Sequence, residues 1–281
     1  MNNTFDIKRF ALVFRKDLIE NGKRYTLFFL AMFGLMALVI TFQTLDYYDI
    51  ERNAGDHLSL NRILLIYLSF MFLGFGTWFA STFSTPMNRK LKRLSYLISP
   101  ASNLEKYLVR WIITTIGFIP VFFAAMWIAD ALRVAISSVV YPDVDIRFID
   151  IAKLVSPDAR THGNEYVVPR EVFTILISLY FLLQSIFLLG STFWEKVTFV
   201  KTFTACAALI TAYILICRWA ILLFYGFLIG YGNVIASFEL DNYLTIEQAI
   251  SFAAIVIAAF TLAFWILACF RMKESEIIKR L

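Results

Sequence analysis

Long apolar runs separated by short polar interruptions organise the chain. Six runs stand out: Tyr25 to Leu45, Ile63 to Phe83, Leu108 to Ala129, Val172 to Gly190, Phe203 to about Tyr225, and Gln248 to Phe270. Each holds roughly 20 residues, enough at about 1.5 Å per residue to cross a hydrocarbon core of about 30 Å. In lipid a segment must satisfy its own backbone hydrogen bonds, so such runs predict α-helices. The expected fold class is all-α integral membrane, with six transmembrane helices.

Two of the polar segments carry a pattern of their own. In residues 1–24, Ile7, Phe10, Ala11, Phe14 and Leu18 share one helical face, while Lys8, Arg9, Arg15, Lys16 and Glu20 take the rest. That pattern suits an amphipathic helix lying in the headgroup layer. Asn21-Gly22 offers a stop, so the expected division is an interfacial helix over 1–24 and a six-span domain over 25–281. Charges are scattered through the segment and no small-residue cleavage site follows, so it does not read as a signal peptide.

Between the second and third runs, Pro86 fits the first turn of a helix, and Met87, Leu91, Leu94 and Ile98 follow at helical spacing. Arg89, Lys90, Lys92 and Arg93 occupy the other faces. Ser99-Pro100 ends this basic helix, because a residue before proline is pushed out of the α region. Ser102 and Glu105 then have the spacing of a capping box, which restarts a helix that runs into the third span.

The other interruptions are less regular. Residues 130–170 form the longest, with Val144 to Phe148 alternating like a short strand and turns at Ser156 to Asp158 and His162 to Asn164. It is too short for a domain with its own core and reads as a cap on the membrane helices. Over 222–246, Gly226, Gly230 and Gly232 break an apolar run too long for one crossing, which predicts a re-entrant dip.

Composition agrees with the pattern. Of 281 residues, 60% are hydrophobic, well above the share in soluble domains. Mean hydropathy is +0.71. Lys and Arg number 18 in segments 1–24, 84–110, 191–202 and 271–281, against 7 in the alternate segments. By the positive-inside rule both termini and the basic loop are cytoplasmic.

Chemistry of the enzymatic kind finds little to work with. No phosphate-binding glycine loop is present, so any ATP hydrolysis must come from another chain. His57 and His162 lie in different outer loops, and Cys206, Cys217 and Cys269 sit singly within apolar runs, so neither set has metal-site spacing. No metal, bound cofactor or nucleic-acid partner is expected. No carboxylate falls in the middle of a span, which disfavours a proton-coupled carrier. Arg218, deep in the fifth span, admits two readings: contact with an anionic substrate or lipid phosphate, or a snorkelling side chain that pairs with Glu239, Asp241 or Glu247.

Three motifs carry a family resemblance. Ser99-Pro-Ala-Ser-Asn-Leu-Glu-Lys-Tyr-Leu-Val-Arg-Trp111 resembles the segment between spans two and three in permeases of the type-2 ABC exporter family, particularly a Bacteroidetes-like branch. Leu189-Gly-Ser-Thr-Phe-Trp-Glu-Lys-Val-Thr-Phe-Val-Lys-Thr202 and Phe270-Arg-Met-Lys-Glu274 are similar to its segments after the fourth and sixth spans. The resemblance implies a non-enzymatic permease subunit, paired with a second copy as homodimer or heterodimer and with ATP-binding subunits that hold ATP and Mg. It further implies that the loop 84–107 carries a coupling helix received by the ATPase through Arg89, Lys90, Arg93, Ser99, Pro100, Ser102, Glu105 and Lys106. Ile7, Phe10, Phe14 and Leu18 of the interfacial helix would lie beside it, against membrane lipid. The aromatic load, 29 Phe, 13 Tyr and 6 Trp, points to a lipophilic or amphipathic cargo. The rival readings are a secondary carrier or channel without an ATPase, and a membrane scaffold or sensor subunit.

Overall fold

A computed structural model of the chain describes residues 5–54, 60–85, 101–144, 146–149, 170–194, 196–229 and 246–278. Among these, all regular structure is helical: α1 (Ile7–Ala54), α2 (Leu60–Ala80), α3 (Asn103–Trp111), a π-helical turn (Ile112–Ile116), α4 (Phe118–Val140), α5 (Arg170–Phe193), α6 (Thr198–Ile229) and α7 (Ile246–Ile278). Six helical stretches are long and apolar enough to cross a membrane, α3 and α4 together forming one of them.

α1 packs along α4 and also touches α2 and α3; α2 packs on α5, and α5 on α6 and α7. The main core lies among α1, α2, α4 and α5, where Met32, Met36, Leu64, Phe75, Phe79, Phe118, Phe122 and Tyr180 are buried together. Phe72 and Tyr180 stack at 4.5 Å between ring centroids. Gly76 makes room for that ring, because a Cβ there would lie 2.7 Å from a Tyr180 ring carbon. A smaller cluster around Phe83, Tyr107, Phe187 and Met272 joins the ends of α2, α3, α5 and α7.

Several boundaries differ from the sequence expectation. α1 passes through Asn21-Gly22 without a stop, so residues 7–24 are the first part of one 48-residue helix. The Asn21 side chain, instead of ending the helix, donates to the carbonyl and carboxylate of Asp17 one turn back. At about 1.5 Å per residue this helix is about 70 Å long, more than twice a hydrocarbon core. The expected interfacial helix and first span are therefore one continuous element, with no break at residue 21.

The third span continues past Ala129 to Val140. Asp130 and Arg133, expected in the outer loop, are buried in α4 and paired at 2.7 Å. Neutralised in this way they no longer end the helix. Their free atoms receive the Ile149 amide and donate to the Arg147 carbonyl, each within 2.8 Å. That clip replaces the expected strand: residues 146–149 are tied to α4 and form no ladder. α6 runs through Gly226 to Ile229, so the helix does not break at Leu222. The rest of the expected re-entrant segment, most of the outer cap, and the basic helix of Pro86 to Ser99 lie outside the described residues.

Candidate coupling site

The start of α3 is built by its own sequence. Ser102 is extended (φ −69°, ψ 155°) and its hydroxyl accepts the Glu105 amide, while Glu105 Oε2 accepts the Ser102 amide at 2.9 Å. This is the reciprocal capping box read from the Ser-x-x-Glu spacing.

Glu105 also reaches beyond its own helix. Its Oε1 accepts the Asp6 amide at 2.8 Å and lies 3.3 Å from Arg9 Nη2, so the carboxylate sits at the N-terminus of α1, where the helix dipole favours an anion. Asp6 caps α1 in turn, its carboxylate accepting the Lys8 amide at 2.8 Å. The Glu105 side chain is 0% exposed. One carboxylate thus starts α3 and fixes the beginning of α1 to it.

Arg110, less than two turns along α3, makes a second junction. Its Nη1 donates to both Asp17 oxygens at 3.2 Å and to the Tyr25 hydroxyl at 3.0 Å, and that hydroxyl donates to Asp17 Oδ2 at 2.6 Å. Its Nε donates to the Phe83 carbonyl at 3.1 Å, and Nη2 to that of Thr82 at 3.4 Å. A planar guanidinium carries five N–H groups in a fixed fork on three nitrogens, whereas a lysine has three on one atom and could not span these acceptors. Arg110 therefore ties α1, the exit of α2 and α3 together. The two chain ends that flank residues 86–100 are held at one point.

These contacts locate the expected coupling residues. Ser102 caps α3, and Glu105 and Lys106 are buried within this chain. Leu104, 51% exposed, faces outward. Arg89, Lys90, Arg93, Ser99 and Pro100 lie outside the described residues. The predicted apolar face of the first segment divides: Phe10 and Phe14 pack on the core, whereas Ile7 is 72% and Leu18 41% exposed. The inward face is instead shared by Phe10, Val13, Phe14, Asp17 and Asn21. Arg218 is exposed on α6 and is not brought to the site.

Sequence reasoning missed Asp17, Tyr25 and Arg110. Asp17 and Asn21 share a face with Phe10 and Phe14, and Arg110 lies inside the third apolar run; both were signals of inward polar groups. Among the described residues no group of three His, Cys, Asp or Glu side chains could hold a metal ion. The fold defines a helical, multi-pass membrane protein. Comparison of the chain with protein-family models, curated proteins and solved structures finds no match in any of them.

Proposed function

We propose that this chain is the membrane-spanning subunit of a type-2 ATP-binding cassette exporter. It works beside a second permease copy and an ATP-hydrolysing subunit that binds ATP and Mg. It resides in a bacterial cytoplasmic membrane with both termini inside, and moves a lipophilic or amphipathic cargo. The observation that carries this reading is the double junction of α3 with α1. Glu105 holds the first turn of α1, and Arg110 holds Asp17 three turns on. A force applied to the loop 84–107 would move α3, the first turns of α1 and the end of α2 as one body, which is what a coupling element requires. A loop serving only to bind anionic lipid would need basic side chains but no such buried clamp.

The test is a mild-detergent affinity purification of the whole chain from its host, with chemical crosslinking and mass spectrometry. A near-stoichiometric P-loop protein supports the exporter reading. A chain recovered alone or with lipid only, crosslinked sample included, overturns it in favour of a carrier or scaffold.

A further inference from the structure

The helix leading from α3 into the membrane changes geometry midway. Ile112–Ile116 forms a π turn, closed by the Gly117 amide donating to the Ile112 carbonyl at 2.8 Å. A π turn holds one residue more than an α turn and is a recurrent place for a helix to bend or change register. Pro120, shortly beyond, has no N–H to return to this turn.

Three side chains from two other helices occupy the place where that backbone is loosened. The Tyr180 hydroxyl of α5 donates to the Thr115 carbonyl at 2.9 Å. One turn along α5, the buried Gln184 donates through Nε2 to the Thr115 hydroxyl, and its Oε1 accepts Trp265 Nε1 of α7 at 3.1 Å. An indole nitrogen can only donate, so the Gln184 amide has one orientation that satisfies both bonds. Trp265 also meets the helix ahead of the turn, where its carbonyl accepts the Tyr107 hydroxyl at 2.8 Å.

The turn separates two pieces that both touch α1 but are held differently, α3 by buried polar contacts near the start of α1 and α4 by apolar packing farther along it. α3 is bonded to α1 and the end of α2 through Glu105 and Arg110. α4 is packed into the core through Phe118, Phe122, Ala125 and Met126. Loss of the extra residue, the π turn becoming α-helical, would turn α3 and Thr115 with it by about 100° around the helix axis relative to α4. Gln184 Nε2 would then be left in an apolar interior without its Thr115 partner, the amide bonded only through Oε1 to Trp265, and a buried amide strongly resists that loss.

We propose that Ile112–Ile116 is a pivot between α3 and α4 whose register is locked by Gln184, and that Gln184 transmits a change of register to α7 through Trp265. The part this plays in coupling rests on the exporter reading; the register lock itself does not.

Spin labels at Leu104→Cys on α3 and Ile128→Cys on α4, both exposed positions, test this in the whole chain with Cys206, Cys217 and Cys269 changed to alanine. Distances are read by double electron–electron resonance in lipid nanodiscs, first without any partner protein. The otherwise native chain should give one narrow distance. Gln184→Leu and Thr115→Val should each add a resolved second population, displaced by about 5–10 Å, because a one-residue slip turns α3 by about 100° on a cylinder about 10 Å across. Ser191→Ala, which removes a buried α5 hydroxyl bonded within its own helix, should change nothing.

A single unshifted distance in both variants, or two distances already in the native chain, overturns the lock. Should Gln184→Leu fail to fold, Thr115→Val decides, since it exchanges a hydroxyl for a methyl. Repeating the measurement with a co-purified ATPase and a non-hydrolysable nucleotide separates the two proposals. A chain that slips as expected but binds no ATPase keeps the pivot and removes the exporter reading; a chain that binds an ATPase while both variants hold one register does the reverse.

Discussion

Arg110 and Asp17, 93 residues apart in sequence, meet at 3.2 Å where α3 crosses the first third of α1. Both side chains are largely withdrawn from solvent, so each is the other's condition for being there. Removing one partner of such a pair leaves an uncompensated buried charge, whereas removing both leaves no buried charge, only lost packing and neutral hydrogen bonds.

Arg110→Leu should therefore destabilise the chain by about 3 kcal/mol, and Asp17→Asn by less, because an amide still accepts one hydrogen bond. The double variant Asp17→Leu with Arg110→Leu should fall short of the sum of the single losses by about 1–3 kcal/mol. Reversible unfolding in detergent measures the cycle, and strict additivity would show that the two groups act independently.

Glu105 should tolerate loss of charge better than loss of shape. Glu105→Gln keeps an oxygen for one of the Asp6 and Ser102 amides and turns its NH2 toward the other, whereas Glu105→Ala leaves both donors open at a cost of roughly 1–3 kcal/mol. Glu105→Lys also sets a cation against Arg9, and is expected to detach the start of α1 and, on the proposed exporter function, to uncouple or release the ATPase, with membrane insertion intact. An undiminished, cargo-stimulated ATPase rate in Glu105→Lys would remove α3 from the coupling path.

The crossing of α5 and α6 depends on Gly190. A Cβ added there would lie 2.5 Å from Thr202 Cγ2 and nearer still to its hydroxyl. Gly190→Ala should force the helices apart and cost about 1–3 kcal/mol. Thr202→Ala in the same chain should recover part of that loss, read as a rise in melting temperature. No recovery would mean that the clash is relieved elsewhere.

On the opposite side, by the charge count, Asp130→Ala would leave Arg133 buried with only the Arg147 carbonyl as partner. A loss of about 3 kcal/mol is expected, together with release of residues 146–149, seen as faster proteolysis of that segment in sealed, inside-in cells. Arg133→Leu alone should release the Arg147 carbonyl while leaving the Ile149 amide on Asp130. Equal protease resistance in all three chains would show that the clip does not hold the segment.

Arg218 stands apart from these networks, exposed on α6. Arg218→Leu is expected to leave the fold and its thermal stability unchanged or slightly improved, since a cation facing lipid is costly. A marked drop in stability, or loss of transport at full stability, would instead give this side chain a partner or a cargo.

Some of this architecture was written locally. Six segments are apolar over the length a bilayer requires, and hydropathy sums over neighbours, so their number and helical state follow from sequence alone. The Ser102 and Glu105 capping box is equally local, because its two hydrogen bonds close within three residues. The limits of the helices were less legible. Asn21-Gly22 has the composition of a stop, yet Asn21 and Tyr25 both bond Asp17, and Asp17 bonds Arg110, so a contact with α3 holds the helix together across it.

Tertiary structure alone decided which polar groups meet. Nothing near Gln184 in sequence announces Thr115 or Trp265, and nothing near Asp17 announces Arg110. The physical reason is the range of the forces involved. Transfer of apolar surface is a property each segment carries with it, whereas a hydrogen bond or ion pair exists only within about 3 Å of a partner that packing must first deliver.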